Sequence, residues 1–132
     1  MSRLLLDTNI LSDAVNVPRG VVARRLADVP QQLLCTSIIV AAELRYGAAR
    51  KESRRLKHSV EEVLSAIDVL PLKSPTDVVY GALRADLEGA GKTLAANDLW
   101  IAAHALALDC VLVSDDRAFA RVRGLKLENW LV

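Results

Sequence analysis

Two short apolar runs that end in acids constrain this chain more than any other feature. Leu4-Leu5-Leu6 is followed at once by Asp7, Thr8 and Asn9, and Val111-Leu112-Val113 by Ser114, Asp115 and Asp116. Three consecutive apolar residues closed by a charge read as a strand buried on both faces, the pattern of a parallel sheet covered by helices. In open sheets of that kind, ligands bind beyond the carboxyl ends of the strands. An acid at such an end is placed for chemistry rather than packing, so the question is which other acids meet Asp7 in space.

The segments between and around these runs alternate in the same sense. Residues 32–35 and 69–72 read as further strands, and Lys126–Glu128 as a possible edge strand. Asn9 starts a short helix to about Ala14, and Val22, Leu26 and Val29 recur at helical spacing before Pro30. Thr36 or Ser37 caps a helix to about Arg50, and Leu56, Val60, Val63, Leu64 and Ile67 mark an amphipathic one. Ser74-Pro75-Thr76-Asp77 predicts a helix start with a capping serine and proline at the first helical position. That helix reaches about Glu88, and the next spans residues 97–109. Strands alternating with helices favour a single α/β domain over residues 1–132, with a mostly parallel central sheet of four to five strands.

Composition excludes little and directs less. The 132 residues are 52% hydrophobic and 25% charged with a net charge of +1, so an attraction to nucleic acid has to be local. Cys35 and Cys110 lie in apolar runs and read as buried reduced thiols. No run reaches the length of a membrane span and no signal peptide is apparent, so a cytoplasmic protein is expected.

Three further groups of acids resist a plain structural reading. Glu43 interrupts the Ile38–Leu44 segment, otherwise apolar on all sides and so read as a buried helix, where an ionised carboxylate needs an ion pair with Arg45 or Arg50, a metal or water. Asp98 opens the apolar segment 99–106, as a helix cap or as a functional acid. Of Asp115 and Asp116, one caps the turn that carries Phe119. If the strand ends share a rim, these acids converge with Asp7, and two such charges 4 Å apart repel by about 4 kcal/mol at an effective dielectric of 20. Ionised acids held together in this way call for a cation. Oxygen ligands without histidine or cysteine select Mg²⁺ or Mn²⁺, the ions of phosphoryl chemistry. His104 has no second histidine nearby and reads as packing.

The order of these pieces resembles that of the PIN-domain ribonucleases, most closely the VapC toxins of bacterial toxin–antitoxin pairs. The likeness rests on D-T-N-I-L after the first strand, S-I-I-V-A-A-E-L-R-Y-G, N-D-L-W-I-A-A-H-A, L-V-S-D-D-R-A-F and G-L-K-L-E-N-W. It implies a PIN-like α/β/α sandwich and Mg²⁺- or Mn²⁺-dependent endoribonuclease activity, often on a structured RNA such as tRNA, leaving a 5′-phosphate and a 3′-hydroxyl. It places the catalytic acids at Asp7, Glu43, Asp98 and Asp116, with metal held by Asp7, Asp98 and Asp116. Thr8 and Asp115 become supporting residues; many VapC relatives carry asparagine at the fourth position, so the choice between the two aspartates stays open. The resemblance also implies a VapB-type antitoxin that covers the groove and binds operator DNA, and a homodimer of the toxin itself.

From Arg45 to Lys57 six cations face one acid, Glu52, which suggests a basic lip beside Glu43, with Arg45 and Arg50 as candidate RNA contacts. Arg117, Arg121 and Arg123 offer a second cluster. Gly91-Lys92-Thr93 lacks the upstream glycine and strand of a phosphate loop. A haloacid-dehalogenase-type phosphatase needs an acid where Asn9 stands. The remaining alternative is a catalytically inactive module of the same fold that binds RNA or protein.

Overall fold

A computed structural model describes residues 2–132. Five strands among them form one parallel sheet in the order β3-β2-β1-β4-β5: β1 (Leu4–Leu6), β2 (Leu34–Ser37), β3 (Asp68–Leu70), β4 (Val111–Val113) and β5 (Lys126–Glu128). The chain winds outward from β1 to β3, then returns to lay β4 on the other side of β1. The topological switch point therefore lies between the two strands that end in acids, which is where α/β sheets open a crevice.

Among the described residues six helices cover the sheet: α1 (Thr8–Asn16), α2 (Val21–Asp28), α3 (Ile38–Arg50), α4 (Arg54–Ser65), α5 (Thr76–Gly89) and α6 (Ala96–Ala107). Helices α1 to α4 pack against one another, and α5 packs on α6, where the rings of Tyr80 and Trp100 stack with centroids 3.9 Å apart. Leu5, Leu6, Leu112 and Val113 are fully buried in the central strands, with Ile10, Leu11, Val40 and Ile101 closing over them. The central strands β1 and β4, only three residues long, hold because both faces are covered. Removing one of these side chains, as in Leu112→Ala, costs about 2–5 kcal/mol.

The elements fall where the periodicity puts them, with shifted ends. Helix α1 runs on to Asn16, and β2 begins at Leu34 because residues Gln31–Leu33 form a 3-10 turn. Helix α5 starts one residue late, at Thr76, whose N–H is already held by the Lys73 carbonyl; Pro75 takes the cap position and Ser74 caps nothing. Ser37 caps α3 by accepting from the Ile39 N–H at 3.1 Å. Helix α3 is not buried on all sides: Ile38 and Tyr46 are exposed, while Val40, Ala41, Leu44 and Ala48 are buried in the core and Ile39 packs at its edge. Both cysteines are free and buried. No helix among the described residues is long and apolar enough to cross a membrane. The Gly91-Lys92-Thr93 segment is a helix terminus: Gly91, at φ 71, turns the chain out of α5, and the Lys92 N–H closes on the Leu87 carbonyl.

Candidate active site

The acids gather at the switch point. A cleft of about 490 Å³ at the carboxyl ends of β1 and β4 is walled by Asp7, Glu43, Asp98, Asp115 and Asp116. Each arrives by a different local route. Asp7 is the first residue after β1, and its N–H still belongs to the ladder, donating to the Val113 carbonyl. It then occupies the cap position of α1, with extended backbone. Glu43 projects from α3 nearly two turns past the Ser37 cap. Asp98 is the third residue of α6, whose cap position is Ala95, so its carboxylate is not spent on capping. Asp116 lies two residues past Ser114 and caps the 3-10 turn Arg117–Arg121, its Oδ1 accepting from the Ala118 N–H at 2.9 Å.

Hydroxyls fix two of the carboxylates. Ser114 Oγ donates to Asp7 Oδ2 at 2.7 Å and itself accepts from the Asp116 N–H at 3.0 Å, so one buried side chain ties the first acid to the last. Thr8 Oγ1 donates to Glu43 Oε1 at 2.6 Å. Arg45 does not neutralise Glu43: its guanidinium forks onto Glu61 of α4 at 2.8 and 2.9 Å. Arg50 lies over the ring of Tyr46. Neither arginine lines the cleft. Asp115 is exposed and accepts from the Asn9 side chain.

The electrostatics separate the acids further. Asp7 is only 3% exposed, and its Oδ1 is buried with no hydrogen-bond partner. Burial raises its pKa, the Ser114 and Thr8 hydrogen bonds offset part of that, and the Glu43 and Asp116 charges push it up again. Burial, reinforced by the charges of Asp7, Asp116 and Glu43, raises Asp98 to about 6. The charge felt by both comes from Asp116 rather than Asp115, which distinguishes the two neighbours. His104 is buried on α6 with Nδ1 2.9 Å from Ser37 Oγ, and burial lowers its pKa; it is a packing residue that braces the start of α3.

Around the cleft the acids form walls rather than a closed cage: among the described residues no three His, Cys, Asp or Glu side chains are drawn in tightly enough to hold an ion. Mutual repulsion accounts for that spacing. The donor set nevertheless fits a hard divalent cation. It is all oxygen, it includes an orphaned buried carboxylate oxygen on Asp7, and it holds acids whose ionised forms lack compensation. Sequence reading missed part of the lining. Asn9, Ser12, Asp13 and Asn16 on α1 face the cleft, opposite the buried Ile10, Leu11, Ala14 and Val15. The signal was present as helical alternation of polar and apolar positions. Ser114 was also missed, since a serine between strand and aspartate reads as a turn.

Comparison with known proteins points one way. The PIN domain family model matches residues 4–125. Ribonuclease VapC2 of Haemophilus influenzae is 34% identical over 134 residues, spanning 99% of this chain and 100% of that protein. The tRNA(fMet)-specific endonuclease VapC of Shigella flexneri is 33% identical across 98% of this chain and 99% of its own length. Among solved structures, VapBC2 from Rickettsia felis bound to a DNA fragment from its promoter superposes with a TM-score of 0.87 at 33% identity, over 96% of this chain and 98% of that one. With the acids of its four segments meeting in one cleft and its whole length matched, the chain belongs to the PIN-domain family.

Proposed function

We propose that this chain is a metal-dependent endoribonuclease toxin of a toxin–antitoxin pair. The observation that carries the reading is the convergence of Asp7, Glu43, Asp98 and Asp116 on one cleft at the switch point. Relatives named as ribonucleases, one of them specific for tRNA(fMet), supply the substrate class, and a structured RNA such as a tRNA is the substrate to try first. Asp7, Asp98 and Asp116 would hold Mg²⁺ or Mn²⁺, with Glu43 completing the site directly or through water. When bound, the ion supplies Lewis acidity and charge neutralisation for hydrolysis of a phosphodiester.

The protein's own contribution is positioning. Ser114 fixes the rotation of the Asp7 carboxylate and leaves Oδ1 without a hydrogen-bond partner. Thr8 does the same for Glu43. The low polarity around Asp7 and Asp98 strengthens every charge interaction made there. Asp116, with one oxygen committed to the Ala118 N–H, presents the other from a rigid turn.

The inhibitory partner is a VapB-type antitoxin, by analogy with neighbours solved as VapBC complexes, two of them on DNA. An apolar groove of about 590 Å³ between α1, α2 and α4, walled by Val15, Leu26 and Val63 on the far side of α1 from the acids, suits such a partner. Operator DNA is reached through the antitoxin. The reading also pairs two copies of the chain, for which Ile38 and Val78 leave large apolar side chains exposed, and light scattering on the isolated chain checks it. A binding-only module is disfavoured because nothing in binding RNA or protein calls for an uncompensated Asp7 carboxylate. The experiment is inducible expression of wild type against Asp7→Asn, with total RNA examined for discrete fragments. Fragments and growth arrest should appear with wild type alone; equal cleavage by Asp7→Asn would overturn the reading.

A further inference from the structure

The acidic cleft is one end of a longer groove. Along α3, Glu43, Gly47 and Lys51 stand at i, i+4 and i+8, one stripe of a helix, and all three line a second hollow of about 120 Å³. That hollow shares Thr8, Ser12, Asn16 and Glu43 with the cleft, so the two are continuous. Its floor is open at Gly47, where an added Cβ would have nothing within 4 Å. At 1.5 Å of rise per residue, Lys51 stands about 12 Å beyond Glu43, roughly the axial rise of three to four stacked nucleotides.

Past Lys51 the chain reverses through Glu52, at φ 52, and enters α4 behind the Ser53 cap. Residues 50–57 hold Arg50, Lys51, Arg54, Arg55 and Lys57 against Glu52 alone. All five cations are exposed, and among the described residues none has a carboxylate partner. The basic side chains on either side have partners, Arg45 in Glu61 and His58 in Glu62. A row of unpaired like charges repels itself, and a polyanion relieves it.

We propose that the groove past Gly47 and the entrance to α4 form the track of the substrate's phosphate backbone, with Lys51 on a phosphate a few nucleotides from the scissile bond and Arg54 and Arg55 on phosphates beyond. This rests on the ribonuclease reading and moves RNA binding from Arg45, already held by Glu61, to cations without a partner. The shape of the groove and the charge at its end contribute separately, and each has its own variant.

The test measures binding of fluorescein-labelled bulk tRNA by anisotropy, in an Asp7→Asn background so that nothing is cleaved. The variants are Lys51→Ala/Arg54→Ala/Arg55→Ala together and Gly47→Gln, which fills the floor while improving helix propensity. Lys126→Glu, at the amino-end rim of the sheet, is the charge control. Thermal midpoints verify that each variant folds. The triple variant should weaken binding about tenfold near 0.1 M salt and flatten the slope of log Kd against log salt by about 2, three contacts at roughly 0.7 each. Gly47→Gln should weaken binding with the slope intact, and Lys126→Glu should stay within about twofold. Unchanged affinity and slope in the triple variant, or an equal loss in Lys126→Glu, would overturn the proposal. So would a triple variant that binds RNA normally and loses its hold on the antitoxin, since the corner would then be a protein-binding surface. Failure of the wild type to cleave any RNA strikes the ribonuclease reading instead, and is distinguishable from these outcomes.

Discussion

Replacing Asp98 by asparagine should make the metal-free protein more stable, and the size of the effect can be worked from the site. Burial, with the charges of Asp7, Asp116 and Glu43, raises the Asp98 carboxyl from its ordinary 3.8 to about 6. A carboxyl whose pKa rises on folding keeps its proton longer in the folded state, so stability falls as pH climbs from about 4 to 6 and the whole loss is carried above 6. At about 1.4 kcal/mol per pH unit the loss is at most about 3 kcal/mol. Two effects reduce it. Asp98 sits in the first turn of α6, where the positive helix end favours the charge by about 0.3–1 kcal/mol, and its half-exposed position adds solvent screening. Asp98→Asn should therefore gain about 1–2 kcal/mol at pH 7.5 in EDTA, roughly 4–8 °C in Tm, with the gain vanishing near pH 4. Urea or thermal unfolding of both proteins at the two pH values measures it. A variant equally stable at pH 7.5, or one whose advantage persists at pH 4, would refute the claim that gathered charge destabilises this cleft.

Asp7→Asn should lower RNA cleavage by about 100-fold or more, as loss of one preorganised charged group does, and should leave the far-ultraviolet circular dichroism unchanged. Ser114→Ala removes the one side-chain donor to a buried carboxylate and should cost about 1.5–3 kcal/mol at neutral pH. With that hydroxyl gone the Asp7 pKa rises further, so the acidic limb of the pH–rate profile should move to higher pH. Arg45→Ala breaks only an exposed pair with Glu61 and should change stability by less than about 1 kcal/mol, read from the denaturation midpoint.

Sequence made the centre of the sheet legible because β1 and β4 are apolar on both faces and run into acids. Leu4–Leu6 and Val111–Val113 read as buried parallel strands by composition alone, and a switch point between them brings Asp7 and Asp116 to one rim. Ends were harder. The cap of α5 lies at Pro75 rather than Ser74 because a turn carbonyl, from Lys73, reaches the Thr76 N–H first, and no side-chain pattern announces that competition. The apolar run of residues 38–44 suggested a helix buried all round, yet Ile38 lies on the solvent side. Apolarity along the chain does not by itself specify which side of a helix is buried. Within the site, the acids stood out by their context, but the hydroxyl links did not. That Ser114 reaches Asp7 across 107 positions, or that Arg45 chooses Glu61 over Glu43, is fixed by tertiary geometry that spacing along the chain does not encode.

An ion bound among these acids, as proposed, would tie stability to activity, and that link can be measured. In the metal-free protein Asp7 Oδ1 has no donor and Asp98 is held against three like charges. A divalent cation that binds the folded state stabilises it by RT ln(1 + [L]/Kd), about 2.7 kcal/mol at a hundred times Kd, or roughly 10 °C in Tm for a domain of this size. The same occupancy should govern cleavage. Titrating Mg²⁺ or Mn²⁺ into the EDTA-treated chain should therefore raise Tm by an amount that fits one Kd, and that Kd should match the concentration for half-maximal cleavage within about threefold. Asp98→Asn, already relieved of the repulsion, should start from a higher Tm and gain less from the metal. Stabilisation that saturates at a concentration far from that of activity would mean that the ion rescuing the fold is bound elsewhere than among these acids.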